Sequence, residues 1–258
     1  FKYSIRLKKA FSNLMEYLKV WFTLKIGAYD VVINVDKNSS SGRLSTKFTH
    51  SKWKFFGEDD EQFFVKYPDG KHMAKFSVYM LRNELEKCGV KPNVSPVPYL
   101  DLKLSKEEIA NGEKVLHSIV PADKKAICIY TFATGTKCYS EEWWLDFYEK
   151  LKSEFADYHI FEMLPIENIS KINRKAPVYY SKDIREMGAV IANSAIFIGA
   201  DCGVMHLASA ALTPTIGLFS VTSIDKYQPY NPGSVSVYTD KTDSQTLLAI
   251  IRNTLTQA

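Results

Sequence analysis

The chain has 258 residues, of which 46% are hydrophobic and 24% charged, and it carries a formal net charge of +4. This composition provides for one large or two modest globular domains and excludes a disordered chain. The mildly basic charge suits a protein that meets phosphates or an anionic membrane surface. No recognition motif accompanies the charge, so we do not expect nucleic acid as a partner. No apolar run reaches the roughly 20 residues that span a bilayer, and no signal peptide is visible.

The four cysteines lie far apart and form no CxxC pair. This spacing indicates neither a zinc site nor a disulfide framework, so we expect a reducing, cytoplasmic environment. The first residue is Phe1 rather than Met, which is compatible with a start inside a longer gene product.

Residues 1–27 place apolar side chains at helical spacing, with Lys and Arg between them and Gly27 as a stop. The pattern predicts an amphipathic helix. Its basic and aromatic character fits a helix on a membrane surface, whereas the strand that follows at once favours a helix that covers a sheet. The apolar positions are Ile5, Phe11, Leu14, Leu18, Phe22 and Ile26.

The predicted strand Tyr29 to Val35 is followed by a polar loop, residues 36–43. Asp36, Asn38 and Ser39 therefore lie at the carboxyl end of a strand, where they either meet a ligand or solvate a turn. Residues 44–70 show little periodicity and predict short strands and loops. His72 to Gly89 then predicts a helix that Gly89 caps.

A domain boundary is predicted near residue 100, between domains 1–100 and 101–258. Residues 91–104 contain three prolines and no helical pattern, which is typical of an extended linker. Ser105 and Glu108 then form the sequence pattern of a capping box and open a new helix.

Strand and helix patterns alternate through the second half of the chain, which predicts a parallel sheet with helices on both faces and hence the α/β class. The predicted strands are 126–131, 158–163, 178–181, 196–198, 215–219 and 235–238. The predicted helices are 141–155, 183–193, 204–212 and 244–256, with Asp183 as a cap of the second.

The loop after strand 126–131 carries Thr134 and Lys137 but lacks the GxxxxGK[ST] spacing of a Walker P-loop. A lysine beside free amides is suited to a diphosphate, because its ammonium offsets the charge that grows on a departing phosphate. The alternative is a lysine that merely lies on a surface loop.

The loop after strand 196–198 carries Asp201, Cys202 and Gly203, with His206 one turn into the next helix. Helix amides point at this position, and Gly203 permits close approach of a ligand to the backbone. Asp201 could instead be no more than a helix cap, and His206 a core histidine.

Glu162 ends the strand 158–163 at the same edge, where a carboxylate can accept hydrogen bonds from a ribose diol. These loops together predict a pocket for a nucleoside diphosphate. The absence of an Asp-x-Asp pair near them argues against a metal-dependent site, so we expect no metal and no cofactor.

The segment GADCGVMHLASAALTPTIGLFSVTS, residues 199–223, resembles the GxDxGxxHLAAALGTPTxALFGPT pattern of the ADP-heptose:lipopolysaccharide heptosyltransferases, glycosyltransferase family 9. FATGTKCYSEEWW is similar to the lysine loop and Trp-rich helix of that family, and YDVVINVDKNSSSGRL to its YDLVIDLQGNLRSALL segment. Cys202 departs from the family pattern, which usually has Thr or Ser there.

The resemblance implies a GT-B fold of two Rossmann-like, doubly wound domains. The N-terminal domain, here incomplete, would hold the acceptor, with Asp36, Asn38 and Ser39 as candidate contacts. The family's general base is an aspartate on a first strand and turn that this chain does not show. The implied donor contacts are Thr134 and Lys137 for the diphosphate, Glu162 for the ribose, and Asp201, Cys202, Gly203 and His206 for the phosphates and sugar. Lys137 and Asp201 are the implied catalytic residues.

The implied activity is an inverting, metal-independent transfer of a heptose or related sugar from a nucleoside diphosphate sugar, ADP-heptose, to the inner core of lipopolysaccharide. We expect a cytoplasmic enzyme with peripheral contact to the inner face of the membrane. The alternative is a non-catalytic module that binds a nucleotide sugar or glycan.

Overall fold

A computed structural model of the chain describes residues 14–36, 38–57 and 60–257. The chain divides into two compact units, Phe1–Val97 and Pro98–Ala258. None of the helices in the described ranges is long and apolar enough to cross a membrane.

The first unit pairs two parallel strands, with Val31 opposite Trp53. The predicted strand and the predicted helix at 72–89 are both present, and Gly89 follows the helix in the left-handed conformation, with φ of 87°. The elements are α1 Leu14–Ile26, β1 Ala28–Ile33, α2 Ser40–Phe48, β2 His50–Phe55, α3 Glu61–Lys66 and α4 Met73–Lys87.

Two helices, α2 and α3, occupy stretches that the sequence predicts as loops and short strands, so this part of the prediction was wrong. Ser39 caps α2 by accepting a hydrogen bond from the backbone N–H of Gly42 at 3.1 Å. Asp60 caps α3 in the same way through the N–H of Phe63 at 2.8 Å. Polar residues that predict a loop here act as helix N-caps instead.

Helix α1 packs within its unit through a face other than the predicted one. The ring of Trp21 contacts Phe48 edge-on, with centroids 4.9 Å apart. Leu18, Phe22 and Ile26, which the periodicity assigns to the inner face, are instead 53%, 68% and 64% exposed. Ile5 and Phe11 lie outside the described residues.

The second unit holds a six-stranded parallel sheet in the order β5-β4-β3-β6-β7-β8. Helices follow the strands as predicted, and the structure adds two elements that the sequence pattern does not predict, α9 and a 3₁₀ turn at Gly135–Lys137. The elements are α5 Lys106–Ile119, β3 Ala126–Tyr130, α6 Glu141–Glu154, β4 His159–Met163, β5 Val178–Tyr179, α7 Ile184–Ala192, β6 Ile196–Ala200, α8 Gly203–Ala210, β7 Thr215–Phe219, α9 Ile224–Tyr227, β8 Val235–Tyr238 and α10 Ser244–Gln257.

Both faces of this sheet are covered, which confirms the doubly wound arrangement. Successive side chains of a strand point to opposite faces. Ile127 and Ile129 of β3 accordingly join a core with α6 and α10. Cys128 and Tyr130 join a second core with α5, α7 and α8. Strands buried on both sides read as continuous apolar runs, as parallel strands do.

Helix ends and close contacts fix the helices on the sheet. Ser105 and Glu108 form the predicted capping box at the start of α5. Asp183 caps α7 by accepting from the N–H groups of Arg185 and Glu186. Gly112 lets α5 approach α7, because a Cβ there would lie 2.4 Å from the backbone of Ala189.

Candidate functional site

The candidate site lies at the carboxyl edge of the second unit's sheet. The chain enters the sheet at β3, proceeds to β4 and β5 on one side, and returns to β6, β7 and β8 on the other. The loops that leave β3 and β6 therefore diverge and leave a crevice between them, which is where open α/β sheets bind ligands. A cleft of about 690 Å³ lies there, lined by the loops after β3, β4 and β5 and by the first turn of α8.

The loop after β3 brings Thr134 and Lys137 to the cleft. Gly135 takes a φ of 61°, which favours glycine, and starts the 3₁₀ turn that ends at Lys137. The hydroxyl of Thr134 makes no capping hydrogen bond to that turn. The Nζ atom of Lys137 lies 3.5 Å from Oδ2 of Asp201, so the two predicted loops do meet.

Asp201 lies beneath the cleft rather than on its surface, with only 4% of the residue exposed. Its Oδ2 accepts a hydrogen bond from the Thr222 hydroxyl at 2.8 Å. Its Oδ1 lies 3.8 Å from Nε2 of His206. Asp201 is not the cap of α8, because Cys202 occupies the N-cap position. The Asp201 carboxyl group therefore bonds to Thr222 and Lys137 and lies beside His206.

The amino terminus of α8 faces the cleft through Cys202 and Gly203. A Cβ added to Gly203 would meet no protein atom within 4 Å, so protein packing does not require the glycine and its surface is open to a ligand. The Cys202 side chain makes no capping hydrogen bond. Burial raises the pKa of its thiol to about 11, which keeps the thiol neutral near pH 7.

Glu162 does not fit the predicted contact to a ribose. Its side chain is fully buried, and it does not line the cleft. The hydroxyls of Thr131 and Ser170 each donate to one of its carboxylate oxygens, both at 2.5 Å. The carboxylate is closed off from the cleft, so a ribose could reach it only if the surrounding protein moved.

Further cleft residues come from loops that the sequence analysis did not single out. Glu167 and Ile166 follow β4, whereas Lys182 and Ile184 follow β5. Glu162 is a candidate because it is a polar residue near the carboxyl end of a strand. The same reasoning applies to Glu167, five residues later in the chain. Thr222 is within the segment that resembles the family pattern, but only the fold brings its hydroxyl to Asp201.

Asp36, Asn38 and Ser39, in the first unit, make local contacts. Asp36 Oδ1 accepts from the N–H of Asn38 at 3.0 Å, and Ser39 caps α2. These contacts stabilise a local turn, which is one of the two roles that the sequence suggests for these residues. A contact with an acceptor stays a prediction.

The Lys, His and Glu side chains that line the cleft are Lys137, Lys182, His206 and Glu167. Two lysines and a helix amino terminus favour an anionic ligand. Within residues 14–36, 38–57 and 60–257, no group of three or more His, Cys, Asp or Glu side chains could hold a metal ion.

The sequence profile of Glycosyltransferase family 9 (heptosyltransferase) matches residues 17–249. No curated protein sequence matches the chain significantly. Among solved structures, the glycosyl transferase family 9 protein from Veillonella parvula DSM 2008 is similar with a TM-score of 0.72 and 15% identity, over 97% of this chain and 81% of that one.

Two further similar structures are from E. coli. Heptosyltransferase WaaC with ADP has a TM-score of 0.62 and 14% identity, over 96% of this chain and 78% of that one. ADP-heptose lps heptosyltransferase II has a TM-score of 0.59 and 14% identity, over 89% and 77%. These similarities confirm the predicted fold class, α/β of the GT-B type.

Proposed function

The chain belongs to glycosyltransferase family 9, the heptosyltransferase family, and is a glycosyltransferase. We propose that it transfers a heptose from ADP-heptose to the inner core of lipopolysaccharide, with inversion at the anomeric carbon and without a metal ion. One similar solved protein is a heptosyltransferase with ADP, and another is described as an ADP-heptose lps heptosyltransferase. These descriptions support this donor and this acceptor. The alternative of a non-catalytic module has no support.

The observation that carries the proposal is the meeting of Lys137, Asp201 and the amino terminus of α8 at one crevice. In the proposed reaction, a hydroxyl oxygen of the acceptor bonds to C1 of the sugar and gives its proton to the general base that the family resemblance implies, while the bond from C1 to the diphosphate oxygen breaks. Negative charge then grows on the departing diphosphate. The Lys137 ammonium and the helix amides offset that charge, the part a metal plays elsewhere.

In this proposal Asp201 positions Lys137 and does not contact the donor. An aspartate that is 4% exposed and bonded to Thr222 is poorly placed to contact an anionic donor directly. It fixes the position of the Lys137 ammonium and faces the His206 ring instead. We therefore assign Asp201 as the residue that positions Lys137, while Thr134, Cys202, Gly203 and His206 remain proposed donor contacts.

The nucleoside is proposed to extend from the switch point toward the loops after β4 and β5. Ile166 and Ile184 line that part and are 69% and 63% exposed, so a base that lies against them would bury apolar surface. The carboxylate of Glu167 lines the same cleft and takes over the ribose contact predicted for Glu162. Carboxylates in this position of nucleotide-binding sheets accept from ribose hydroxyls.

A cytoplasmic location with peripheral contact to the inner membrane face is part of the proposal. The exposed apolar residues Leu18, Phe22 and Ile26 of α1, with exposed Lys19 and Lys25 beside them, support contact with an anionic surface. Co-sedimentation with anionic vesicles measures it, and Phe22→Glu should weaken the binding.

A panel of nucleoside diphosphates and nucleotide sugars tests the donor. We expect ADP and ADP-heptose to raise the melting temperature more than UDP, GDP and their sugars, because a ligand that binds the native state stabilises it. Transfer from ADP-heptose to a purified inner-core acceptor, followed by NMR of the new linkage, tests the reaction and its inversion. A larger shift with another nucleotide sugar, with transfer from it, would overturn the proposed donor.

A further inference from the structure

Glu162 is a fully buried carboxylate that the proposed chemistry does not use. Burial raises the pKa of this carboxyl above its ordinary value, since burying a charged carboxylate is costly. A buried carboxylate lowers the stability of the folded protein unless its hydrogen bonds offset the lost solvation. Its two partners, Thr131 and Ser170, come from two different loops at the edge of the cleft.

The hydrogen-bonding pattern requires an acceptor at the Glu162 oxygen that faces Ser170. The Ser170 hydroxyl accepts from the N–H groups of Ile172 at 3.2 Å and Arg174 at 2.9 Å. Both of its lone pairs are thereby taken, so it has only its proton left to give. The Thr131 hydroxyl accepts from the N–H of Lys171 at 3.1 Å and donates its proton to the other carboxylate oxygen.

These bonds tie down the segment between β4 and β5, residues 164–177, which contains no regular helix or strand. The segment has three residues in the left-handed conformation, Asn168, Asn173 and Arg174, and so depends on its contacts to keep its shape. It carries Ile166 and Glu167 along one wall of the cleft.

The loop after β3, which begins with the Glu162 partner Thr131, forms another wall of the cleft. Thr131 directly follows β3 and precedes Phe132, Ala133 and Thr134, all of which line the cleft. One carboxylate thus bonds to residues adjoining both walls.

We propose that Glu162 is a positioning residue that sets the separation of these two walls, and hence the affinity of the site for the nucleoside part of the donor. The proposal rests on the proposed function, in that the cleft receives a nucleoside diphosphate. Loss of these hydrogen bonds loosens the wall that carries Ile166 and Glu167, whereas Lys137 keeps its ion pair with Asp201, because neither of those two residues bonds to Glu162. It therefore weakens donor binding in the ground state and the transition state alike, which raises KM and leaves kcat unchanged.

The test uses Thr131→Val and Ser170→Ala, which remove one donor each and leave the carboxylate itself intact. Thr131→Ser is the conservative variant that keeps the hydroxyl. Thr215→Val is the matched control, because Thr215 is also a buried threonine whose hydroxyl bonds to protein, at 2.8 Å to the Thr213 carbonyl, at the start of β7. Hydrogen exchange of the peptide 164–176 and the Kd for ADP are measured for each.

We expect faster exchange of residues 164–176 and about a tenfold higher Kd for ADP in Thr131→Val and Ser170→Ala, with near wild-type values in Thr131→Ser and Thr215→Val. With ADP-heptose as donor, KM should rise and kcat should stay within about twofold. Unchanged exchange would overturn the anchoring role, and faster exchange with unchanged ADP affinity would overturn the link to the cleft. Failure of wild type to bind ADP, GDP or UDP would overturn the proposed function, whereas the exchange rates report on the anchor separately.

Discussion

Lys137 and Asp201 are 64 positions apart in the chain, yet Nζ of the lysine lies 3.5 Å from Oδ2 of the aspartate. The two residues follow β3 and β6, which are neighbours in the sheet only because the strand order reverses between them. Asp201 is almost fully buried, whereas the Lys137 side chain is 29% exposed and reaches the cleft. The buried Asp201 carboxylate therefore fixes the position of the Lys137 ammonium, which faces the cleft.

Lys137→Ala should lower kcat by about 10²-fold or more, the scale of one lost electrostatic donor to a departing oxyanion. Steady-state transfer kinetics measure it. Lys150→Ala is the control, because Lys150 pairs with Asp146 on α6, bonds to Ser244 of α10 and does not line the cleft. Equal turnover in wild type and Lys137→Ala would remove the lysine from the mechanism.

Thr222→Val should reduce turnover about tenfold, because it deprives Asp201 of its 2.8 Å hydrogen bond and lets the carboxylate and Lys137 shift together. Thr222→Ser keeps the hydroxyl and should retain most of the activity. Kinetics of both variants beside wild type give the comparison. A valine variant as active as the serine variant would show that the hydroxyl does not position Asp201.

Gly203→Ala should preserve the fold and weaken ADP binding by about tenfold or more. The added Cβ meets no protein atom, and alanine is the better helix former, so the melting temperature should hold or rise slightly. The methyl group would then occupy space proposed for the phosphates.

Gly112→Ala is the opposite case and serves as the control. Its Cβ would overlap the backbone of Ala189, so the melting temperature should fall while the folded fraction binds ADP as wild type does. Calorimetry and thermal melts on both variants measure the contrast. Unchanged ADP affinity in Gly203→Ala would place the diphosphate elsewhere.

The Cys202 thiol should react slowly with iodoacetamide in the folded protein at pH 8. Its pKa is raised from 9.0 to about 11, a difference of two units, so its thiolate fraction should be about 100-fold lower than in the unfolded chain in urea. Because the folded pKa is the higher one, the thiol's contribution to stability is present below pH 9 and is lost as the pH rises through 11. Peptide mapping by mass spectrometry gives the rates, and equal labelling in both states would contradict the raised pKa.

The strands and helices of the second unit could be predicted well, because the sequence patterns that mark them are local and strong. Buried parallel strands such as 196–200 and 215–219 are continuous apolar runs, and caps such as Asp183 and Ser105 mark where helices begin. The rule that polar loops at the carboxyl ends of neighbouring parallel strands share one edge then predicts that Lys137 and Asp201 lie close together.

The remaining differences between prediction and structure have a shared physical cause, which is that sequence position does not determine what a polar or apolar side chain contacts. Ser39 and Asp60 lie in stretches that the sequence predicts as a loop and as short strands and loops, although their side chains cap helices. Glu162 has the position of a ribose ligand, but its partners, Thr131 and Ser170, are supplied by tertiary structure. Leu18, Phe22 and Ile26 follow a helical period correctly, but α1 contacts Phe48 through Trp21 and Lys25.

The most direct measurement is a crystal structure of the protein with ADP. We predict that the diphosphate lies against the N–H groups at the start of α8, with a phosphate oxygen within hydrogen-bonding distance of Lys137 Nζ, and that the ribose hydroxyls face Glu167. The second unit also has a cavity at the opposite edge of its sheet, lined by Lys124, Lys152 and Lys175. Ordered ADP in that cavity, with the cleft at Lys137 and Gly203 empty, would contradict the account.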